Sequence, residues 1–221
     1  MCHLTMGLMA LLHRAELRPS KIELLAQWAP SQAWFDGVAE AGLTNVASFR
    51  FDDPDGEVGI ETLLIRAGDG PVMQVPLTYR GAPLEGGDAW LIGTMEHSVL
   101  GPRWAYDGAG DPVYIAAVAA AALTGGHQAE QYYEVDGERI PRDPTALVVG
   151  SGGEATSVPA IENVSTRHEA GLTIVDANGL RLVIARVPGV HVDEPDTESE
   201  TLVGTWTGQP NPLVLVVVSA S

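Results

Sequence analysis

Between positions 96 and 107 the chain gathers Glu96, His97, Arg103, Trp104, Tyr106 and Asp107. It is the one concentrated group of chemically capable side chains in the sequence. Carboxylates, an imidazole and a guanidinium on adjacent strands could line a pocket for a sugar, with Trp104 and Tyr106 as stacking platforms. The same residues also support a structural reading. Asp107 would cap a turn, Arg103 would pair with Glu96, and the aromatic rings would fill a junction between sheet and helix. Other constellations are missing. Gly150-Ser151-Gly152 is only superficially like a nucleophile elbow and falls in a stretch that reads as loose. His3, His13, His97, His127, His168 and His191 show no paired spacing, so zinc is unsupported. Cys2, near the terminus, has nothing to activate it. Residues 193–200 hold five acids in eight positions, which reads as a solvated loop rather than a metal site. No catalytic residue, cofactor or metal is expected.

The elements around the group follow from pattern and punctuation. Pro19 to Trp28 reads as a short helix opened by a Ser20/Glu23 capping box, with Ile22, Leu25 and Ala26 as its apolar face. Trp28 and Trp34 are expected as core anchors. Residues 43–52, 57–67 and 72–80 read as a three-stranded meander, with Met73, Val75, Leu77 and Tyr79 facing the core. Pro76 cannot donate to a ladder, which places it at an edge or a bulge. Residues 88–95 and 102–106 add two strands. Asp111-Pro112 opens an alanine-rich helix that Gly125-Gly126 closes, with few polar positions between. After about residue 128 the chain reads as all-β, with hairpins at Asp136-Gly137 and Asn178-Gly179.

Composition bounds the function classes. The 221 residues suit one large domain or two small ones. The net charge of −17, with Lys21 as the single lysine, disfavours nucleic acid and anionic membranes as partners. It also suits a soluble acidic protein. One cysteine allows no internal disulfide, which fits a cytoplasmic protein. The start lacks a basic region before its apolar patch, so a signal peptide is not expected, and Met9 is a candidate native start. No apolar run reaches membrane-spanning length.

Val75-Pro76-Leu77, Leu91-Ile92-Gly93, Trp104-Ala105-Tyr106-Asp107-Gly108 and Asp111-Pro112 occur in a telling order. Over roughly residues 10–127 they resemble the N-terminal cap that precedes the kinase lobes in bacterial maltokinases and related sugar kinases. The resemblance implies a cystatin-like α+β domain, a curved antiparallel sheet with packed helices, over residues 1–127. A small antiparallel β domain over 128–221 would follow. It implies that the 104–108 turn is architectural, since those caps hold no catalytic residues, and this favours the structural reading of the 96–107 group. Kinase chemistry needs a strand lysine on the nucleotide phosphates and two aspartates in fixed loops. Lys21 sits in a helix start, and neither a His-x-Asp loop followed by Asn nor an Asp-Phe-Gly turn is present. The expectation is a non-catalytic accessory protein beside a sugar kinase or α-glucan enzyme of maltose, trehalose or α-glucan metabolism. The alternative is a module that binds a sugar or sugar phosphate near residues 96–107.

Overall fold

The computed structural model describes residues 10–12, 16–135, 138–153, 158–189 and 198–221. Two short strands, β1 (Ala10–Leu12) and β2 (Leu17–Arg18), precede helix α1 (Lys21–Trp28). The Ser20 hydroxyl accepts the Glu23 amide at 3.3 Å, and the Glu23 carboxylate accepts the Ser20 amide at 2.8 Å. Two of the amides that a helix start leaves open are thereby satisfied, as the capping box predicts. The buried face differs from the expected one. Leu24 and Leu25 are buried while Ala26 is exposed. Leu24 packs with Met95 and Ala105 and Leu25 with Leu63, Ile65 and Met73, so the helix spans two neighbouring apolar clusters.

Next come β3 (Leu43–Phe51), β4 (Gly59–Ala67), β5 (Val72–Arg80), β6 (Leu91–His97) and β7 (Gly101–Asp107). With β2 they form a six-stranded antiparallel sheet in the order β2-β6-β7-β5-β4-β3. One face carries Leu63, Ile65, Met73, Val75 and Leu77 beneath α1 and Trp34. The other carries Phe49, Phe51, Ile60 and Leu64. The sequence assigns only one face of β5 to the core, yet Gln74 and Thr78 on the second face are fully buried too. A whole further layer covers that side.

The layer begins with α2 (Pro112–Thr124), which Asp111 caps through the Val113 amide and Gly125 ends in the left-handed conformation. Beyond it lie β8 (Gln131–Val135), β9 (Glu138–Arg142), β10 (Ala146–Gly150), β11 (Ser165–Glu169), β12 (Leu172–Ala177), β13 (Leu180–Ala185), β14 (Glu200–Trp206) and β15 (Gln209–Ala220). A second six-stranded sheet runs β10-β14-β15-β13-β12-β11, and β8 joins β9 antiparallel and β1 parallel. Mostly antiparallel β structure with two α-helices is therefore the architecture of the described residues. The Asn178-Gly179 hairpin has positive φ at both turn residues, and Ala177 faces Leu180 across it. The Asp136-Gly137 turn and most of the acidic run at 193–200 lie outside the described residues.

α2 is apolar on nearly every side, and both sheets use it. Tyr114, Ile115, Val118 and Ala122 share one buried cluster with Phe49 and Ile60 of the first sheet and with Val148, Leu182, Leu202 and Val218 of the second. Alanines on the helix let both backbones come close. No helix among the described residues is long and apolar enough to cross a membrane.

Two sequence expectations change at this junction. Pro76 is in a central strand, paired with Thr62 of β4, not on an edge strand. It is tolerated because β7 pairs with β5 only from Leu77 onward. Two residues earlier on that side, the Gln74 amide donates instead to the Arg186 carbonyl at 2.7 Å. The segment 150–152 is docked rather than loose. The Gly150 amide donates to Gly126, Gly152 to Ala122 and Ser151 to Thr201, at 2.8–2.9 Å. A Cβ on Gly150 would lie 1.9 Å from the Ala121 carbonyl oxygen, and one on Gly152 would lie 2.0 Å from that of Leu123.

Gly150→Ala must push strand and helix backbones apart. It is expected to cost about 2–3 kcal/mol, read as a thermal midpoint lower by about 5 °C or more. Gly153→Ala, where an added Cβ meets nothing within 4 Å, is expected to stay within about 0.5 kcal/mol of wild type. Equal midpoints for the two variants would refute the docking.

Candidate functional site

The six residues singled out in the sequence lie on β6 and β7, but the strand period divides them. Register pairs Met95 with Arg103, Glu96 with Pro102 and Thr94 with Trp104. Opposed residues share a face and successive ones alternate. Glu96, Trp104 and Tyr106 therefore belong to one face, and His97, Arg103 and Asp107 to the other. Glu96 is exposed, His97, Arg103 and Trp104 are half-buried, and Tyr106 and Asp107 are buried. The register places Arg103 and Glu96 back to back, so they do not pair as the structural reading supposes. Arg103 donates to the Pro102 carbonyl at 2.9 Å. The His97 Nδ1 accepts the Val99 and Leu100 amides and so shapes the β6–β7 turn. The Tyr106 hydroxyl accepts the Leu84 amide at 2.9 Å.

Asp107 has the most consequential partner. One carboxylate oxygen caps the 3-10 turn 108–110 through the Ala109 amide, and the other accepts from Arg186 Nη2 at 2.7 Å. Both side chains are shielded from solvent, with Arg186 at 0% exposure and Asp107 at 1%. Arg186 Nε donates to the Thr173 hydroxyl at 2.7 Å, and its guanidinium lies 4.9 Å from the centre of the Trp34 ring. Trp34, tilted against Trp28, is the core anchor the sequence predicts. Arg186 comes from the second sheet's strand end, so this pair bolts residues after 128 onto the first sheet. Nothing in the sequence flags it, since the partners are 79 positions apart.

The start of α2 repeats the principle. Arg80 grips both oxygens of Asp111 at 2.7 and 2.8 Å, and the Thr78 hydroxyl donates to the same carboxylate at 2.7 Å. That bidentate bond holds the Arg80 guanidinium even more firmly protonated than usual. The Trp90 ring covers Gly110 so closely that a Cβ there would meet it at 2.1 Å. A third polar cluster lies under α1, where Lys21 forms an ion pair with buried Glu61 and Tyr79 donates to the same carboxylate at 3.0 Å. Burial works to raise the Glu61 pKa. The charges of Lys21 and Arg50, with hydrogen bonds from Lys21 and Tyr79, outweigh it and leave the carboxyl below its usual range. Burial, reinforced by Glu61, pushes the Tyr79 phenol well above its ordinary value. Among the described residues no group of three or more His, Cys, Asp or Glu could hold a metal ion.

These clusters can hold elements together, and each makes a testable demand. Asp107→Ala leaves the Arg186 charge buried and uncompensated, which is expected to cost about 3–5 kcal/mol. The double variant Asp107→Asn/Arg186→Met should recover part of that loss in denaturant unfolding, and no recovery would mean that the two groups act separately. For Glu61 the pKa is lower in the folded chain than the ordinary 4.5. Its stabilisation is therefore complete above about pH 4.5 and is lost as pH falls through the folded value. Glu61→Gln should flatten the acid limb of the stability curve below that pH, and an unchanged limb would contradict the assignment.

The chain matches one known family, and no curated protein matches it. The family is described as the maltokinase N-terminal cap domain, and residues 28–111 are matched. That span runs from the end of α1 to the residue that caps α2, narrower at both ends than the 10–127 the motifs suggest. Val75-Pro76-Leu77, Leu91-Ile92-Gly93 and the Trp104–Gly108 turn all fall inside it, with Val75, Leu77, Ile92 and Gly93 packed on the α1 side of the first sheet. Residues 28–111 of this chain, less than half of it, are similar to the maltokinase N-terminal cap domain.

Proposed function

We propose that the protein is a non-catalytic accessory or regulatory protein of the cap type. It acts in the cytoplasm by protein–protein contact beside a sugar kinase or an α-glucan enzyme of maltose, trehalose or α-glucan metabolism. The observation that carries this reading is the match of residues 28–111 to a domain whose description is a cap. The cystatin-like description of that region belongs to the same proposal, and α1 packed across a six-stranded antiparallel sheet supports it. Two features of the polar residues favour contact over chemistry. Asp107, Asp111 and Glu61 spend their charges on Arg186, Arg80 and Lys21 inside the fold. Glu96 and His97 lie on opposite faces of β6, so they do not converge on one ligand. Contact surface is available elsewhere. Leu147 and Val149 are 54% and 49% exposed on the outward side of β10, an edge strand of the second sheet.

Affinity capture of the tagged full chain from lysate of its own source tests the proposal. A sugar kinase or α-glucan enzyme recovered at near-stoichiometric level is the expected result. A clean bait, together with thermal stabilisation by maltose, trehalose or their phosphates that Trp104→Ala abolishes, would replace the proposal with the sugar-binding alternative.

A further inference from the structure

We propose that His168 is a pH-sensitive latch on the joint between the two sheets, its uncharged ring holding the Thr173 hydroxyl that in turn holds Arg186 on Asp107. The assignment follows from counting protons along one chain of contacts. Arg186 Nε–H donates to Thr173 Oγ1 at 2.7 Å, and a hydroxyl has a single proton of its own. That proton is left for His168 Nδ1, which lies 2.9 Å from the same oxygen. The arrangement that leaves no buried donor unpaired is the neutral ring with its hydrogen on Nε2. Thr173 is fully buried, whereas His168 stands on β11, the outermost strand of the second sheet. A proton from solvent can therefore reach the ring without unfolding the core.

Protonation at Nδ1 turns the acceptor into a donor. Thr173 Oγ1 would face two donors while its own buried proton lost its acceptor, a cost that cannot be relieved by water. The charged groups acting on the ring from the packed elements are Arg186 and Asp107. Arg167 and Glu169 alternate to the other side of β11 and pair with each other at 3.1 Å. The turn 108–110 packed against this strand carries no charge. Burial first, and the Arg186 charge second, hold the imidazole below its ordinary 6.5, with Asp107 opposing them. A base whose pKa is lower in the closed joint binds its proton more readily once the joint opens. The joint is accordingly held in full above about pH 6.5 and weakens as pH falls through the closed-state value.

The Gln74 amide, which bonds the Arg186 carbonyl across the joint, reports the state of the latch. In the full chain its hydrogen-exchange protection factor should fall severalfold, and by no more than about tenfold, between pH 8 and 5.5, since only one unit separates pH 5.5 from the ordinary 6.5 of the ring in the open joint. His168→Asn keeps an acceptor near the Nδ1 position and does not titrate. It should hold its pH 8 protection down to pH 5.5. Parallel loss in wild type and His168→Asn, or no loss in either, would overturn the latch. Should the variant be damaged already at pH 8, wild type alone decides by NMR titration. The Arg186 Nε–H resonance must move with the midpoint of the His168 ring, and separate midpoints or an unmoving Nε–H refute the coupling.

Discussion

A helix that is apolar on nearly every side needs cover on more than one flank, and α2 is such a helix, with Tyr114, Ile115, Val118, Ala119, Ala121 and Ala122 buried. Most of the architecture follows from that constraint. One sheet can cover only one flank, so the second sheet is required, and its strands Ala146–Gly150, Glu200–Trp206 and Gln209–Ala220 close the other flank. Small side chains then become a condition of closure. Ala121 and Ala122 face Gly150 and Gly152 with backbone close to backbone. The Ala121 carbonyl accepts the Gly125 and Gly126 amides, and the Ala122 carbonyl at the helix end is satisfied by the Gly152 amide. At the other end Asp111 serves three donors at once. It caps the helix, binds Arg80 and receives the Thr78 hydroxyl, so the helix start is fixed to β5.

Hydrophobic burial would permit the two sheets several offsets around that helix, because methyl groups carry no direction. The Asp107–Arg186 pair supplies direction. A buried ion pair gives little net stability after desolvation, but a misaligned one leaves two charges unpaired in the interior, which no alternative packing can tolerate. The Gln74 side chain adds to this, donating to the Leu215 carbonyl at 3.1 Å from the middle of the first sheet. Specific polar bonds thus choose one arrangement from those that apolar contact allows.

Local signals were legible in the chain and long-range ones were not. The Ser20/Glu23 box, the Asp111-Pro112 helix start, the Gly125 stop and the Asn178-Gly179 hairpin depend on neighbours within a few residues, and all stand where the sequence puts them. Strand period gave the meander but misjudged β5, since a residue such as Gln74 reads as outward-facing unless a second layer is known to cover it. The 150–152 segment misled for a related reason. Glycines signal either freedom or close approach, and only the position of Ala121 tells which. In the candidate site, the grouping of residues 96–107 was visible, while its division between two faces depended on a register that composition does not encode. Arg186, the partner that matters most, had no local signal at all.

The family-like motifs sit where the first sheet meets its two helices, and this bears on what resemblance can mean. Pro76 lies where β7 leaves β5, Gly93 lies under Leu24 of α1, Tyr106 and Asp107 end β7, and Asp111 begins α2. These motif residues have steric or electrostatic tasks in joining the sheet to α1 or to α2. A sequence that keeps this joint must keep those residues whatever the domain does for its host. The motifs thus report how this sheet is joined to its helices. Its purpose must be sought on surfaces the motifs do not reach, such as the outward side of β10 and the exposed Val99 and Leu100 at the β6–β7 turn, where no packing demand fixes the residue types.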